Sequence, residues 1–249
     1  FLSFGNSLRL HLIGFFFNQA LPSSVGGDPV RVYCAYKEGL SLKNSINGVI
    51  LERVVTVIGL IILVVLATPF FIDRVGLAEE DLILLIVFLL STTGIFGLVI
   101  LMHLDRLPQK MTQWRFIKSL VVLAADARGV FLNSINCFKV LGCSSVGHIN
   151  IALLVYLLGV SIELEITWVD CMVLMPPVLL LMTIPISIAG WGVREQAMVS
   201  AFSLIGVSGE GALALSIMFG LVSLFMGLPG GIVWLLRTDK KIKSLEEFS

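Results

Sequence analysis

Along this chain, apolar runs without a single charge alternate with short polar connections. Val54 to Ile72, Leu82 to Met102, Cys171 to Val193 and Gly211 to Leu236 hold no Asp, Glu, Lys or Arg. Each is long enough to cross a bilayer, which takes roughly 18 to 20 apolar residues. The pattern predicts full spans at 47 to 72, 82 to 103 and 211 to 236, and a shorter one at 146 to 162. Two further segments are apolar but broken. The first, 8 to 40, is interrupted by LPSSVGGDP; the second, 168 to 205, is interrupted by Pro176-Pro177 and by PISIAGWG from Pro185. Proline lacks an N–H and glycine loses backbone entropy, so helices end where both are dense.

Composition then fixes the environment. Of 249 residues, 57% are hydrophobic and 14% charged, against about 25% charged in soluble domains, which excludes a single water-soluble core. The 17 basic and 17 acidic residues cancel, so no global field recruits nucleic acid. Position matters more than sum, because cytoplasmic loops collect Lys and Arg. Basic residues gather in 31 to 46, 104 to 119 and the tail from Arg237, while 73 to 81 is mainly acidic and 163 to 170 and 206 to 210 hold no Lys or Arg. The first three connections are expected inside and the last three outside. Trp114 to Leu141 mixes Arg115, Lys118, Asp126, Arg128 and Lys139 with apolar residues and is expected to lie as an amphipathic helix on the inner surface; a poorly hydrophobic span is the competing reading. Cys34, Cys137, Cys143 and Cys171 form no CxxC or Cys/His spacing, so neither a metal site nor a disulfide framework nor a cofactor is expected. The chain opens on Phe1 with apolar residues and no charged leader, unlike a signal peptide. It reads as one transmembrane domain, 1 to 249, truncated at its N-terminus.

Set side by side, the two broken segments repeat one another. LPSSVGGDPVR from Leu21 and IPISIAGWGVR from Ile184 share Pro, Ser, Gly, Val and Arg, and Gly39-Leu40-Ser41 downstream matches Gly206-Val207-Ser208. Repeat 1 covers about 8 to 72 and repeat 2 about 168 to 236. On the loop charges the copies are inverted, and the dozen residues between Arg194 and Gly206 reach about halfway through a ~30 Å core at ~1.5 Å per residue. The expected fold is therefore an all-α membrane protein, a polytopic helical bundle with two inverted-repeat re-entrant hairpins. Inverted repeats with broken helices are how many transporters build a substrate site.

Arg31 and Arg194 are costly at membrane depth and need partners, a cavity or the headgroup zone. Asp28 and Glu195 are the local candidates. Guanidinium forks bind phosphate or carboxylate, and Gly26, Gly27, Gly190 and Gly192 would let backbone N–H groups approach an anion; self-compensated structural pairs are the alternative. Glu52 and Arg53 either take part in the site or snorkel to the interface. Asn18 either satisfies backbone groups freed by the break or touches a ligand. The histidines His11, His103 and His148 show no partner spacing and are expected at surfaces or interfaces. Ser23, Ser24 and Ser187 lack a His/Asp arrangement.

At Asn18 to Arg31 (NQALPSSVGGDPVR), Ile50 to Arg53 (ILER) and Ile184 to Glu195 (IPISIAGWGVRE) followed by Gly206-Val207, the chain resembles the transmembrane region of lysylphosphatidylglycerol synthases and related flippase-like membrane proteins. The resemblance runs from about residue 8 to 236. It implies an integral inner (plasma) membrane protein that moves charged or glycosylated lipids between leaflets, partnered by membrane lipids and by a lipid-modifying transferase. The aminoacyl-transferase domain of some relatives is not in this stretch, so no enzymatic activity is expected of it. The expected lipid-binding set is Asn18, Pro22, Ser24, Gly26, Gly27, Asp28, Arg31, Glu52, Arg53, Pro185, Ser187, Gly190, Gly192, Arg194 and Glu195. A small-solute transporter or pore and a membrane-embedded lipid-linked transferase remain the alternatives; a laterally open cavity would favour lipid and a closed one solute.

Overall fold

The computed structural model of the chain describes residues 2–21, 26–75, 80–104, 115–183 and 190–246. Among them are nine helices and no strand: α1 (Phe4–Ala20), α2 (Gly27–Lys37), α3 (Leu42–Val75), α4 (Glu80–His103), α5 (Arg115–Phe131), α6 (Ser134–Ser161), α7 (Trp168–Met182), α8 (Val193–Ser203) and α9 (Gly209–Glu246). Leu42–Phe70, Ser134–Ser161 and Gly209–Leu236 are long and apolar enough to cross a membrane. Large side chains such as Phe88, Phe96 and Phe225 stand exposed on the helix surfaces, as they do where lipid replaces water.

Both broken segments are broken in the structure. α1 ends at Ala20 and α2 begins at Gly27, while α7 ends at Met182 and α8 at Val193 follows. The turn after each short helix is the same device twice. Gly39 (φ 100°) and Gly206 (φ 84°) take left-handed backbone, which costs glycine little. Leu40 N–H then donates to Ala35 O and Val207 N–H to Phe202 O, both at 3.2 Å. Ser41 and Ser208 cap the next helices by accepting from Asn44 N and Gly211 N, again both at 3.2 Å. The matched Gly-x-Ser triplets of the sequence thus fold as matched turns.

Three boundaries differ from the pattern. Pro176-Pro177 does not break α7, which runs through to Met182; the two prolines sit inside a helix packed on α3, α6 and α8, and such surroundings tolerate proline in membrane helices. The amphipathic stretch ends at Phe131 rather than 141, because the Asn133 side chain accepts from the N–H groups of Ile135 and Asn136 at 3.1 Å each and starts a new helix. The short span at 146 to 162 is therefore the second half of a 28-residue helix, about 40 Å long.

Packing is reciprocal. α1 lies on α9 and α3 lies on α7, so the first helix of each repeat packs on the third helix of the other. The α1/α9 seam is glycine-lined: a Cβ at Gly230 would stand 1.9 Å from Leu12 O, and Gly227 and Gly231 face Phe16. Helices α6 to α9 enclose the larger core, with Val155, Met175, Met198, Phe202 and Leu215 fully buried. The core between α1 and α2 is small, built on Leu10, Ile13, Cys34 and Ala35. Two cavities adjoin the first repeat, and a third, of about 540 Å³, lies between α7 and α8.

Candidate functional site

The first site is assembled by a close approach of two backbones. A Cβ on Gly27 would lie 1.9 Å from Gly14 O, so α1 and α2 touch, and the Asn18 side chain accepts from Gly27 N–H at 2.8 Å. Asn18 thus satisfies the backbone at the break. With α2 held there, its polar residues face α3. Arg53 forks onto Asp28, with Nε to Oδ2 at 2.7 Å and Nη2 to Oδ1 at 3.0 Å. Arg31 forks onto Glu52, with Nη1 to Oε1 at 3.0 Å and Nη2 to Oε2.

The local pairing of Asp28 with Arg31 survives only as a 3.8 Å contact. A head-on fork across helices satisfies two lone pairs at once, which the i,i+3 contact does not. The resulting quartet carries two positive and two negative charges. The stem of Arg31 crosses Gly14, where a Cβ would be 2.2 Å from Cδ, and its Nε is buried without a hydrogen-bond partner. His11 Nε2 stands 3.7 Å from Glu52 Oε1. His11 was not among the expected site residues. It shares a helical face with Gly14 and Asn18 at i, i+3 and i+7, and that spacing was the available signal.

Two cavities flank the quartet. One, of about 700 Å³, is a half-open groove between α3 and α4 that reaches α7 at Leu180 and Thr183. Its walls on α3 and α4 are otherwise apolar, and among the described residues Asp28 and Arg53 supply its charges. The other, of about 270 Å³, is a polar vestibule lined by Ser7, His11, Arg31, Asn44, Ser45 and Glu52 among others. Val49 lines both. The groove therefore offers one ion pair within a hydrocarbon wall, and the vestibule offers the other ion pair beside hydroxyls and an amide.

The second repeat is built differently. Arg194 is 1% exposed. Its guanidinium donates from Nη2 to Glu195 Oε1 at 2.7 Å and from Nε to Ser216 Oγ at 3.2 Å. Trp191 and Phe219 lie over it, with ring centroids 4.5 and 5.8 Å from Cζ. Glu195 also accepts from Gly192 N–H, which begins a turn where Gly190 and Gly192 both have φ 84°. Gly220 makes the room, since a Cβ there would be 2.2 Å from Nη2.

Two of the N–H groups expected at the anion cradles have acceptors within the protein. Gly27 N–H is taken by Asn18 and Gly192 N–H by Glu195, because a side chain covalently placed at the helix start needs no association entropy to reach it. Asn18, Gly26, Gly27, Asp28, Arg31, Glu52 and Arg53 come together in the first repeat, and Gly190, Gly192, Arg194 and Glu195 in the second. Pro22, Ser24, Pro185 and Ser187 lie outside the described residues.

A helical bundle with apolar spans and a charged quartet beside an apolar groove defines an integral membrane protein whose candidate site borders both polar and hydrocarbon surroundings. The family model described as lysylphosphatidylglycerol synthase TM region matches residues 2–231, and the chain belongs to that family. No curated protein and no solved structure matches it.

Proposed function

We propose that this protein holds the head group of a charged lipid at Asp28, Arg31, Glu52 and Arg53 and carries it between the leaflets, the tails remaining in hydrocarbon. The observation that carries the reading is the groove between α3 and α4, apolar along its length and charged where Asp28 and Arg53 line it. A lipid has that polarity and a free solute does not. The family, a membrane region linked to lysylphosphatidylglycerol, agrees with it. Because each cavity holds one arginine and one carboxylate, a phosphate can take an arginine while a headgroup ammonium takes the released carboxylate, so the quartet suits a head group carrying both charges.

The matched turns and the reciprocal packing of α1 on α9 and α3 on α7 support two inverted copies, with the 11-residue helices α2 and α8, each about 16 Å long, as the return limbs of re-entrant hairpins. Alternating access then follows from rocking one copy against the other. Both carboxylates of the quartet are committed to guanidinium forks, which favours carriage over catalysis; the lipid would be charged by a separate transferase, in the inner (plasma) membrane. A polar-solute transporter is the second reading, favoured by the vestibule alone.

The test is translocation in proteoliposomes. The full-length protein is expected to move fluorescent aminoacylated and anionic phosphatidylglycerols across the bilayer, and an Arg31→Gln, Arg53→Gln variant to lose most of that rate. Wild-type rates in the variant, or no lipid movement by folded protein, would sink the reading.

A further inference from the structure

We propose that the vestibule beside His11 is an oxyanion site opened by a proton on His11. The proposal rests on the reading of the quartet as a ligand site and adds the ion that regulates it. One carboxylate oxygen is contested: Glu52 Oε1 accepts from Arg31 Nη1 at 3.0 Å and lies 3.7 Å from His11 Nε2. A neutral imidazole at that distance makes no hydrogen bond. Protonated, it becomes a second cation for Glu52 and competes with Arg31.

Arg31 then gains free donors. Its Nε is already buried without a partner, and release of Nη1 from Glu52 leaves the guanidinium able to hold an oxyanion. The vestibule it faces supplies Ser7, Asn44 and Ser45 for the remaining oxygens. A singly charged phosphodiester and the proton enter as a neutral pair, and a dianion such as sulfate has half of its charge compensated by that proton. Sulfate, free phosphate and a phosphodiester head group share the required chemistry.

The surroundings of His11 contain little else that titrates. α2 brings Asp28 and Arg31 and the thiol of Cys34, which packs against Leu10 and Ile13; α3 brings Glu52 and Arg53. α9 meets α1 through Gly227, Gly230 and Gly231 and carries no ionisable side chain over 211 to 236, and Arg9 on α1 itself is exposed. Histidine is the side chain whose change of charge comes within reach of physiological pH.

Linkage makes the idea measurable: if a proton favours the anion, the anion must favour the proton by the same factor. The full chain in detergent is titrated calorimetrically with dihexanoyl-phosphatidylglycerol and with sulfate, which both keep their charge between pH 5.5 and 7.5, in two buffers of different ionisation enthalpy. The lipid is expected to bind about tenfold more tightly at pH 5.5, with net proton uptake. His11→Gln should remove both the pH slope and the uptake, and His11→Lys should bind tightly at both pH values; melting curves check that each variant is folded. Sulfate binding with the same slope shows that the oxyanion itself is recognised, and lipid binding alone assigns the site to a head group with its tails. Sulfate binding without lipid binding keeps the vestibule and overturns the lipid reading. A slope or uptake unchanged in His11→Gln overturns the proton coupling and leaves the lipid reading standing. No binding of either probe at either pH overturns both.

Discussion

Arg31 and Glu52 are 21 residues apart and on different helices, yet guanidinium and carboxylate meet fork to fork. Arg194 and Glu195, neighbours in the chain, make the corresponding pair in the second repeat. The first pair therefore ties α2 to α3 and breaks if they move apart, whereas the second pair moves with α8. Only the first lies between a groove and a vestibule. On the proposed reading, inter-helix pairing makes the first repeat the one in which a ligand that opens the fork also frees α2 from α3, so that binding and helix movement are coupled.

That coupling predicts a specific non-additivity. Arg31→Gln and Glu52→Gln each leave a charge without its partner; a fully buried orphan costs about 3–5 kcal/mol, and the exposure of Glu52, 38% of its side chain, brings the expectation down to about 1–2 kcal/mol by solvent screening. The double variant Arg31→Gln, Glu52→Gln should be no less stable than the worse single one, giving a coupling of about 1 kcal/mol or more. Thermal denaturation in detergent measures all four corners. Strict additivity would mean that the fork does not hold α2 on α3.

The glycine contacts predict position-dependent costs. At Gly27 and Gly230 an added Cβ meets carbonyl oxygens of α1 at 1.9 Å, whereas at Gly48 and Gly147 it meets nothing within 4 Å. Gly27→Ala and Gly230→Ala should each destabilise by about 1–3 kcal/mol through overpacking. Gly48→Ala and Gly147→Ala should be neutral or stabilising by up to about 1 kcal/mol, since glycine is a poor helix former. Melting temperatures of the four variants separate the two groups, and equal behaviour would remove the backbone contact that builds the first site.

Asn18 offers a test of the break itself. Its side chain is the acceptor for the first N–H of α2, so Asn18→Ala should cost about 1 kcal/mol, as lost caps do, and Asn18→Asp should keep the acceptor. If Asn18 bound ligand instead of backbone, Asn18→Ala would leave the melting temperature alone and weaken lipid binding.

What the sequence made legible is what local chemistry decides. The breaks near Leu21 and after Met182 follow from proline and glycine density, and the turns at Gly39 and Gly206 follow from Gly-x-Ser triplets whose geometry needs only neighbouring residues. The partner of Arg31 was not legible, because choosing Glu52 over Asp28 depends on α1 and α2 touching at Gly14 and Gly27. Pro176-Pro177 misled for a related reason: a local breaking signal was overridden by packing against three helices. His11 escaped notice because its partner lies on α3.

Arg194 carries the last prediction, which separates the two repeats. It is enclosed by Trp191, Phe219, Ser216 and Glu195, and the slot for its guanidinium exists because residue 220 has no side chain. Arg194→Leu leaves the Glu195 carboxylate without its guanidinium and should cost about 3–5 kcal/mol. Gly220→Ala forces a Cβ into the space of Nη2 and should destabilise by about 1–3 kcal/mol with no change of charge. If Arg194 were a ligand group waiting for an anion, Gly220→Ala would weaken lipid binding at unchanged melting temperature. If it is the pin that holds α8 on α9, Gly220→Ala lowers the melting temperature while the protein that remains folded still binds lipid at the quartet. A binding isotherm recorded beside a melting curve on this one variant distinguishes them, and the enclosure of Arg194 favours the second.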